Sequence, residues 1–182
     1  YKVGGLRAFD AGSMARVYER PFEVEIVSLE NAPVTKENTN PSGRHLSGCR
    51  IGFDAGGSDR KVSAVIDGEP VYSEEVVWFP KTTSDPQYHY DGILTAMKTA
   101  ASYMPRVDAI GVSSAGVYVD NRIMVASLFL KVSDEDFDKK VKNMYLDVAK
   151  ELGENIPIEV ANDGDVTALA GAMDLDDNSV LG

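Results

Sequence analysis

Ile51-Gly-Phe-Asp-Ala-Gly-Gly-Ser58 sets an alternating apolar run against a carboxylate and then a pair of glycines. Ile51 and Phe53 flank the small Gly52 before Asp54, Gly56-Gly57 predicts a tight reversal with positive φ, and a second alternating run begins near Val62. The expectation is strand, turn, strand. Such a turn, ending in Ser58, offers successive backbone N–H groups with no Cβ in the way. Polyphosphate oxygens can approach it closely, while Asp54 is placed to hold a metal-bound water. An ordinary hairpin turn accounts for the same residues, because paired glycines are common in hairpins. A distant stretch, Val160-Ala-Asn-Asp-Gly-Asp165, repeats the arrangement of a carboxylate at the end of an apolar run.

Outward from residue 49 the pattern becomes regular. Strands are expected at 49–54, 60–67 and 70–79, a helix at about 89–104, and a strand at 108–113. A helix at about 134–152, a strand at 157–161 and a helix at about 164–173 follow. Ile93, Leu94, Met97, Ala100, Ala101 and Met104 share one face at the helical period, and Phe137, Val141, Met144, Val148 and Leu152 form a second stripe. Ser133 with Asp136 reads as a capping box, and Gly153 supplies a stop. Val166, Leu169, Ala170 and Met173 line the last helix, with Asp163 and Asp165 beside its positive N-terminal end.

Upstream, Asn31, Pro33, Asn38, Asn40, Pro41, Ser42 and Gly43 mark a loop over 31–48, and Phe22 to Leu29 alternates as a half-buried strand would. Residues 1–48 are therefore expected as a strand- and loop-rich extension, and 49–182 as one lobe. The chain begins at Tyr1 and stops just after Ser179-Val-Leu, which reads as a strand being entered, so a longer protein is expected.

Composition narrows the function. The 182 residues carry a formal charge of −11 and 43% hydrophobic content, which suits one good core. That charge argues against a nucleic-acid or anionic-membrane surface, so an anionic ligand must be held by backbone N–H groups, a metal or a few local cations. The single cysteine, Cys49, excludes an internal disulfide and a cysteine-based zinc cluster within these residues. With no apolar span and no leader in sight, a cytoplasmic setting is expected. His45 and His89 read as surface residues, Lys61 as an exposed strand residue or a cation near phosphates, and Trp78, Tyr88 and Tyr90 as a satellite core cluster.

Three meandering strands followed by parallel strands with crossover helices give the β-β-β-α-β-α-β-α order of an α/β, ribonuclease-H-like (actin-like ATPase) lobe with a mixed five-stranded sheet. Within it, Ile51 to Ser58, Gly111 to Asp120 and Glu159 to Ala170 resemble three successive signatures of the ROK family, which contains bacterial sugar kinases and related repressors. The resemblance covers about residues 49 to 182 and implies the first of two lobes. It also implies an ATP-dependent kinase acting on a hydroxyl of a hexose or amino sugar. Asp163 would be the general base, and Asn162, Gly116 and Ser127 would approach the sugar. Gly56, Gly57 and Ser58 would approach the ATP phosphates, and Asp54 would face Mg²⁺ through water. The chain departs from the family where a Pro often precedes Gly116, and Leu128 stands where a polar sugar contact is frequent. Capping of its helix is the structural alternative for Asp163. The competing functions are a non-catalytic sugar-sensing regulator and an ATPase or activator of the same superfamily. No membrane or nucleic-acid partner is expected through this lobe, and a homo-oligomer is possible.

Overall fold

The computed structural model describes residues 4–36, 43 and 45–176. The chain divides into two compact units, Tyr1–Ser42 and Gly43–Gly182. Among its described residues the first unit holds one α-helix, α1 (Ala8–Tyr18), and a single 3-10 turn at Leu29–Asn31. The strand expected over Phe22–Leu29 is absent. Val24, Ile26 and Val27 are exposed, with no neighbouring strand to accept their backbone bonds, and alternation alone does not supply a partner. Residues 37–42 and 44 of the expected loop, and the expected strand entry at Ser179–Leu181, lie outside the described residues.

The second unit is an α/β lobe. Strands β1 (Cys49–Ala55), β2 (Asp59–Ile66) and β3 (Glu69–Val77) form an antiparallel meander. Asp67 and Gly68, both at positive φ, turn the chain between β2 and β3. Helix α2 (Pro86–Ala101) then crosses to β4 (Ala109–Ser114), which pairs parallel to β1. The sheet order is β3-β2-β1-β4-β7, where β7 (Ile158–Asn162) pairs parallel to β4 and leads into a final helix at Asp163–Leu175. Helix α2 begins three residues earlier than the periodicity suggests. Asp85 caps it by accepting from the Gln87 N–H, and Pro86 occupies the first turn, where no N–H is required.

Two features escaped the periodicity. Strands β5 (Gly116–Val119) and β6 (Arg122–Ala126) make a separate hairpin, turned by Asp120 and Asn121 at φ 52° and 62°. The helix expected over 134–152 is also interrupted. A short turn α3 (Asp134–Asp136), capped by the Ser133 side chain, runs into a π-turn at Phe137–Val141, and α4 (Met144–Leu152) follows. The interruption has a visible use, because the Lys142 carbonyl accepts from the Ile123 N–H of β6 at 2.9 Å. A helix end thus satisfies an edge of the hairpin.

The core lies between the sheet and the helical layer. Ile51, Phe53, Val62 and Ala64 from the sheet meet Ile93, Met97 and Ala100 of α2 and Met144 and Val148 of α4, all essentially buried. The last helix, α5 (Asp163–Leu175), contains no buried residue. No helix among the described residues is long and apolar enough to cross a membrane.

The hairpin turn ties into the main sheet, since Asn121 Oδ1 accepts the Val160 N–H of β7 at 2.8 Å. Asn121→Ala removes that acceptor and leaves a Cβ-bearing residue without the local hydrogen-bonding side chain that favours this left-handed backbone. It should cost about 1–3 kcal/mol in urea unfolding. Asn121→Gly relieves the strain but not the lost bond, and should fall between Asn121→Ala and the parent.

Candidate functional site

The parallel register decides where chemistry can gather. Asp54 of β1 sits opposite Ser113 of β4, Ser113 opposite Ala161 of β7, and Ser114 opposite Asn162. The C-terminal ends of β1, β4 and β7 therefore lie side by side, the edge at which open α/β sheets bind ligands. A cavity of about 520 Å³ opens there, lined by Asp54, Gly56, Gly57, Lys81, Ser127 and Asp163, among others. Of the residues singled out in the sequence, Asp54, Gly56, Gly57, Ser127 and Asp163 line this one space. Ser58, Gly116 and Asn162 belong to the adjoining backbone.

The Gly56–Ser58 turn is built differently from the expectation. Neither Gly56 nor Gly57 has positive φ. Glycine is required at 56 by proximity instead, as a Cβ there would lie 2.7 Å from the Asp59 carbonyl oxygen and 2.9 Å from Asp59 Oδ1. Trp78, almost wholly buried, holds the turn from behind. Its indole Nε1–H donates to the Gly56 carbonyl at 2.8 Å, and its backbone N–H donates to the Ser58 carbonyl at 3.0 Å. With these two carbonyls pinned, the turn is fixed without help from a ligand. The Ser58 hydroxyl is only weakly engaged, 3.5 Å from Asp59 Oδ2.

Asn162 and Asp163 divide their duties. Asn162, not Asp163, is the N-cap of α5; its Oδ1 accepts from the Gly164 N–H at 2.9 Å and its Nδ2 donates to the Gly116 carbonyl at 2.9 Å. Both ends of the amide are thus engaged within the protein, binding β7 to the hairpin. Asp163, the first helical residue, stays exposed and lines the cavity, with one carboxylate oxygen 3.0 Å from the Gly164 nitrogen. A carboxylate in the first turn of a helix lies where the dipole favours negative charge.

Two buried phenols stand close enough to these carboxylates to feel their charge. Burial pushes Tyr118 up to about 12, opposed by the Ser114 hydroxyl and assisted by the charge of Asp163. Tyr145 is raised as well, chiefly by burial and then by Tyr118. Among the described residues neither phenol oxygen has a hydrogen-bond partner, and the Ser114 hydroxyl donates to the Ala55 carbonyl at 3.2 Å. Both phenols stay neutral at physiological pH, and Asp54 and Asp163 are the acidic side chains in the cavity lining.

The surrounding residues bear on four further expectations. His89 is fully buried rather than on the surface. Its Nε2 lies 3.0 and 3.2 Å from the carbonyls of Pro80 and Leu128, and its Nδ1 lies 3.1 Å from the Asp85 carbonyl. Leu128, expected where polar sugar contacts are frequent, is 1% exposed, so it is chiefly its neighbour Ser127 that offers the cavity a polar side chain. Lys61 is an exposed strand residue whose ammonium turns to Asp59 at 3.4 Å, and that hydrogen bond raises its pKa. Trp78 belongs to the main core rather than to a satellite of it, Tyr90 packs against that core, and Tyr88 and His89 make ring contacts with Trp78. The sequence reading missed Lys81 altogether. Twenty-four residues separate it from Gly57, and only the fold brings them together. Among the described residues no group of three or more His, Cys, Asp or Glu side chains could hold a metal ion, which leaves single carboxylates as the oxygen donors.

No protein-family model and no curated protein matches the chain. Solved structures do. The inorganic polyphosphate/ATP-glucomannokinase from Arthrobacter sp. strain KM aligns over 69% of this chain and 48% of its own, with 21% identity and a TM-score of 0.51. The glucokinase from Parabacteroides distasonis aligns over 71% of this chain and 34% of its own, with 17% identity and a TM-score of 0.52. The chain thus spans less than half the length of either. At these identities the likeness establishes the fold alone, an α/β lobe like the matching part of these two sugar kinases.

Trp78→Phe keeps most of the buried ring and removes the bond to Gly56. It should lower unfolding free energy by about 1–3 kcal/mol and speed hydrogen exchange at the amides of residues 56–58 more than elsewhere in β1 and β2. Amide exchange read by NMR checks both the size and the location of the effect.

Proposed function

We propose that this chain is the first lobe of a ROK-type sugar kinase, which transfers the γ-phosphoryl group of ATP to a hydroxyl of a hexose or amino sugar. The observation that carries the reading is the convergence of Asp54, the Gly56-Gly57 turn and Asp163 on one cavity at the tips of parallel strands. Phosphoryl transfer asks mainly for positioning and electrostatic stabilisation, with a carboxylate to orient the attacking hydroxyl and accept its proton. Asp163 fills that role, exposed to the cavity and rooted in a helix start. Ser127 and the backbone at Gly116 face the acceptor sugar. Asn162 contributes by fixing Gly116 and the start of α5, and the proposed sugar contact from its amide is secondary to that engagement.

The donor side fits a phosphate chain and a hard cation. Gly56 and Gly57 present backbone at the cavity edge with Ser58 next to them in the turn, and Asp54 supplies the carboxylate oxygen that suits Mg²⁺ held through water. Bound there, the cation would neutralise charge on the phosphates; Asp54 would orient its water shell. The nucleoside pocket and the closing wall of the cleft are assigned to a second lobe, following the resemblance at Ile51–Ser58, Gly111–Asp120 and Glu159–Ala170.

In the full-length polypeptide, ATP-dependent phosphorylation is expected with at least one member of a panel of hexoses and N-acetyl amino sugars. Asp163→Asn is expected to lower kcat by roughly 10²-fold or more. An unchanged kcat for this near-isosteric variant would remove the base assignment. Sugar binding without transfer in the parent protein would replace the kinase with a sensor.

A further inference from the structure

The cavity carries a charge problem that the backbone turn does not solve. Asp54 and Asp163 line it, and the chain as a whole has a formal charge of −11, so a phosphate chain entering there meets repulsion. Lys81 is the cationic side chain among the lining residues. Its tail lies over the turn: a Cβ built on Gly57 would be 2.5 Å from both Cε and Nζ of Lys81. Glycine at 57 therefore makes room for the lysine. Among the described residues the ammonium has no ion-pair partner, whereas Lys61, nearby in the fold, is committed to Asp59.

The backbone beneath Lys81 is held firmly while its side chain is left free. Pro80 is buried and begins a 3-10 turn over Pro80–Thr82. The Phe79 N–H donates to the Tyr88 hydroxyl at 2.9 Å, and the hydroxyls of Thr82 and Thr83 donate to the Phe79 carbonyl at 3.2 and 2.8 Å. His89 grips the Pro80 carbonyl from the core side at 3.0 Å. A loop fixed this closely, carrying an unpaired ammonium above a turn without side chains, is arranged as an anion site in advance of its ligand.

We infer that Lys81 and the Gly56–Ser58 turn together form a grip for a polyphosphate chain, with the ammonium as the point charge and the backbone N–H groups as the directional donors. The inference rests on the donor side of the function proposed above and adds to it a residue and a ligand chemistry. A lysine ammonium suits a phosphate chain because its three donors adapt to any of several oxygens, and a compact charge needs no planar partner. The chain can come from a nucleoside triphosphate or from free inorganic polyphosphate. Both present the same oxygens to this site.

Titration of the ¹⁵N-labelled chain with sodium tripolyphosphate, and separately with ATP, without sugar or metal, tests the inference. Tripolyphosphate should shift the amide signals of Gly56, Gly57 and Ser58. Lys81→Gln should weaken that binding by about 5- to 20-fold, and Lys81→Arg should stay within about 3-fold of the parent. Lys61→Gln is the control for general surface charge and should bind like the parent. Comparable affinities for the two ligands identify the phosphate chain itself as what is recognised, and tighter ATP binding that still depends on Lys81 identifies a nucleotide as its source. Binding of ATP with none of tripolyphosphate, unshifted amides, or equal affinity in Lys81→Gln would each overturn the inference. Because the readout involves no turnover, Asp163→Asn separates the two ideas. It should leave tripolyphosphate binding at least as tight as in the parent, since it removes a repelling charge, even where it abolishes transfer, so the grip and the base can fail independently.

Discussion

The lobe depends on one constraint, the parallel pairing of β1 with β4 and of β4 with β7. Parallel neighbours end at the same edge, so residues about 50 to 110 positions apart in sequence reach the same rim without any loop having to carry them there. Asp54, Ser113 and Ala161 form one row across that rim, and the chain leaves β7 directly into a helix whose first residue is Asp163. The crossover helices α2 and α4 make the pairing possible by burying one face of the sheet under Ile93, Met97, Met144 and Val148.

On that rim, rigidity comes from groups that do not touch the cavity. Trp78 pins two carbonyls of the glycine turn, Asn162 spans from its helix to the hairpin, and Asn121 holds the hairpin to β7. Each uses a side chain to satisfy a backbone group that lies outside a regular ladder. The rim is thereby fixed by part-buried polar bonds, while Asp163 and Lys81 stay exposed.

How much of this was legible in the sequence follows from the range of each interaction. The five strands of the main sheet could be read because hydrophobic alternation in β1 and the apolar stripe of α2 record their own burial. The Asp163 rim position followed from an apolar run meeting a helix start. The β5–β6 hairpin was missed although Asp120-Asn121 between two apolar runs is a turn signal; residues 111–120 were read for their motif instead. Phe22–Leu29 shows the opposite error, alternation with no strand beside it. His89 and Lys81 were invisible for a further reason. The first is defined by three carbonyls, one of them 39 residues away, and the second by a glycine 24 residues before it. No local pattern encodes such partners.

The buried imidazole of His89 has a consequence that reaches past packing. It bonds at once to the loop that presents Lys81 and to the loop that presents Ser127, through the carbonyls of Pro80 and Leu128. The two loops that bring Lys81 and Ser127 to the cavity are therefore tied through a single ring atom, Nε2. Displacing that one ring would loosen both sides of the cavity together.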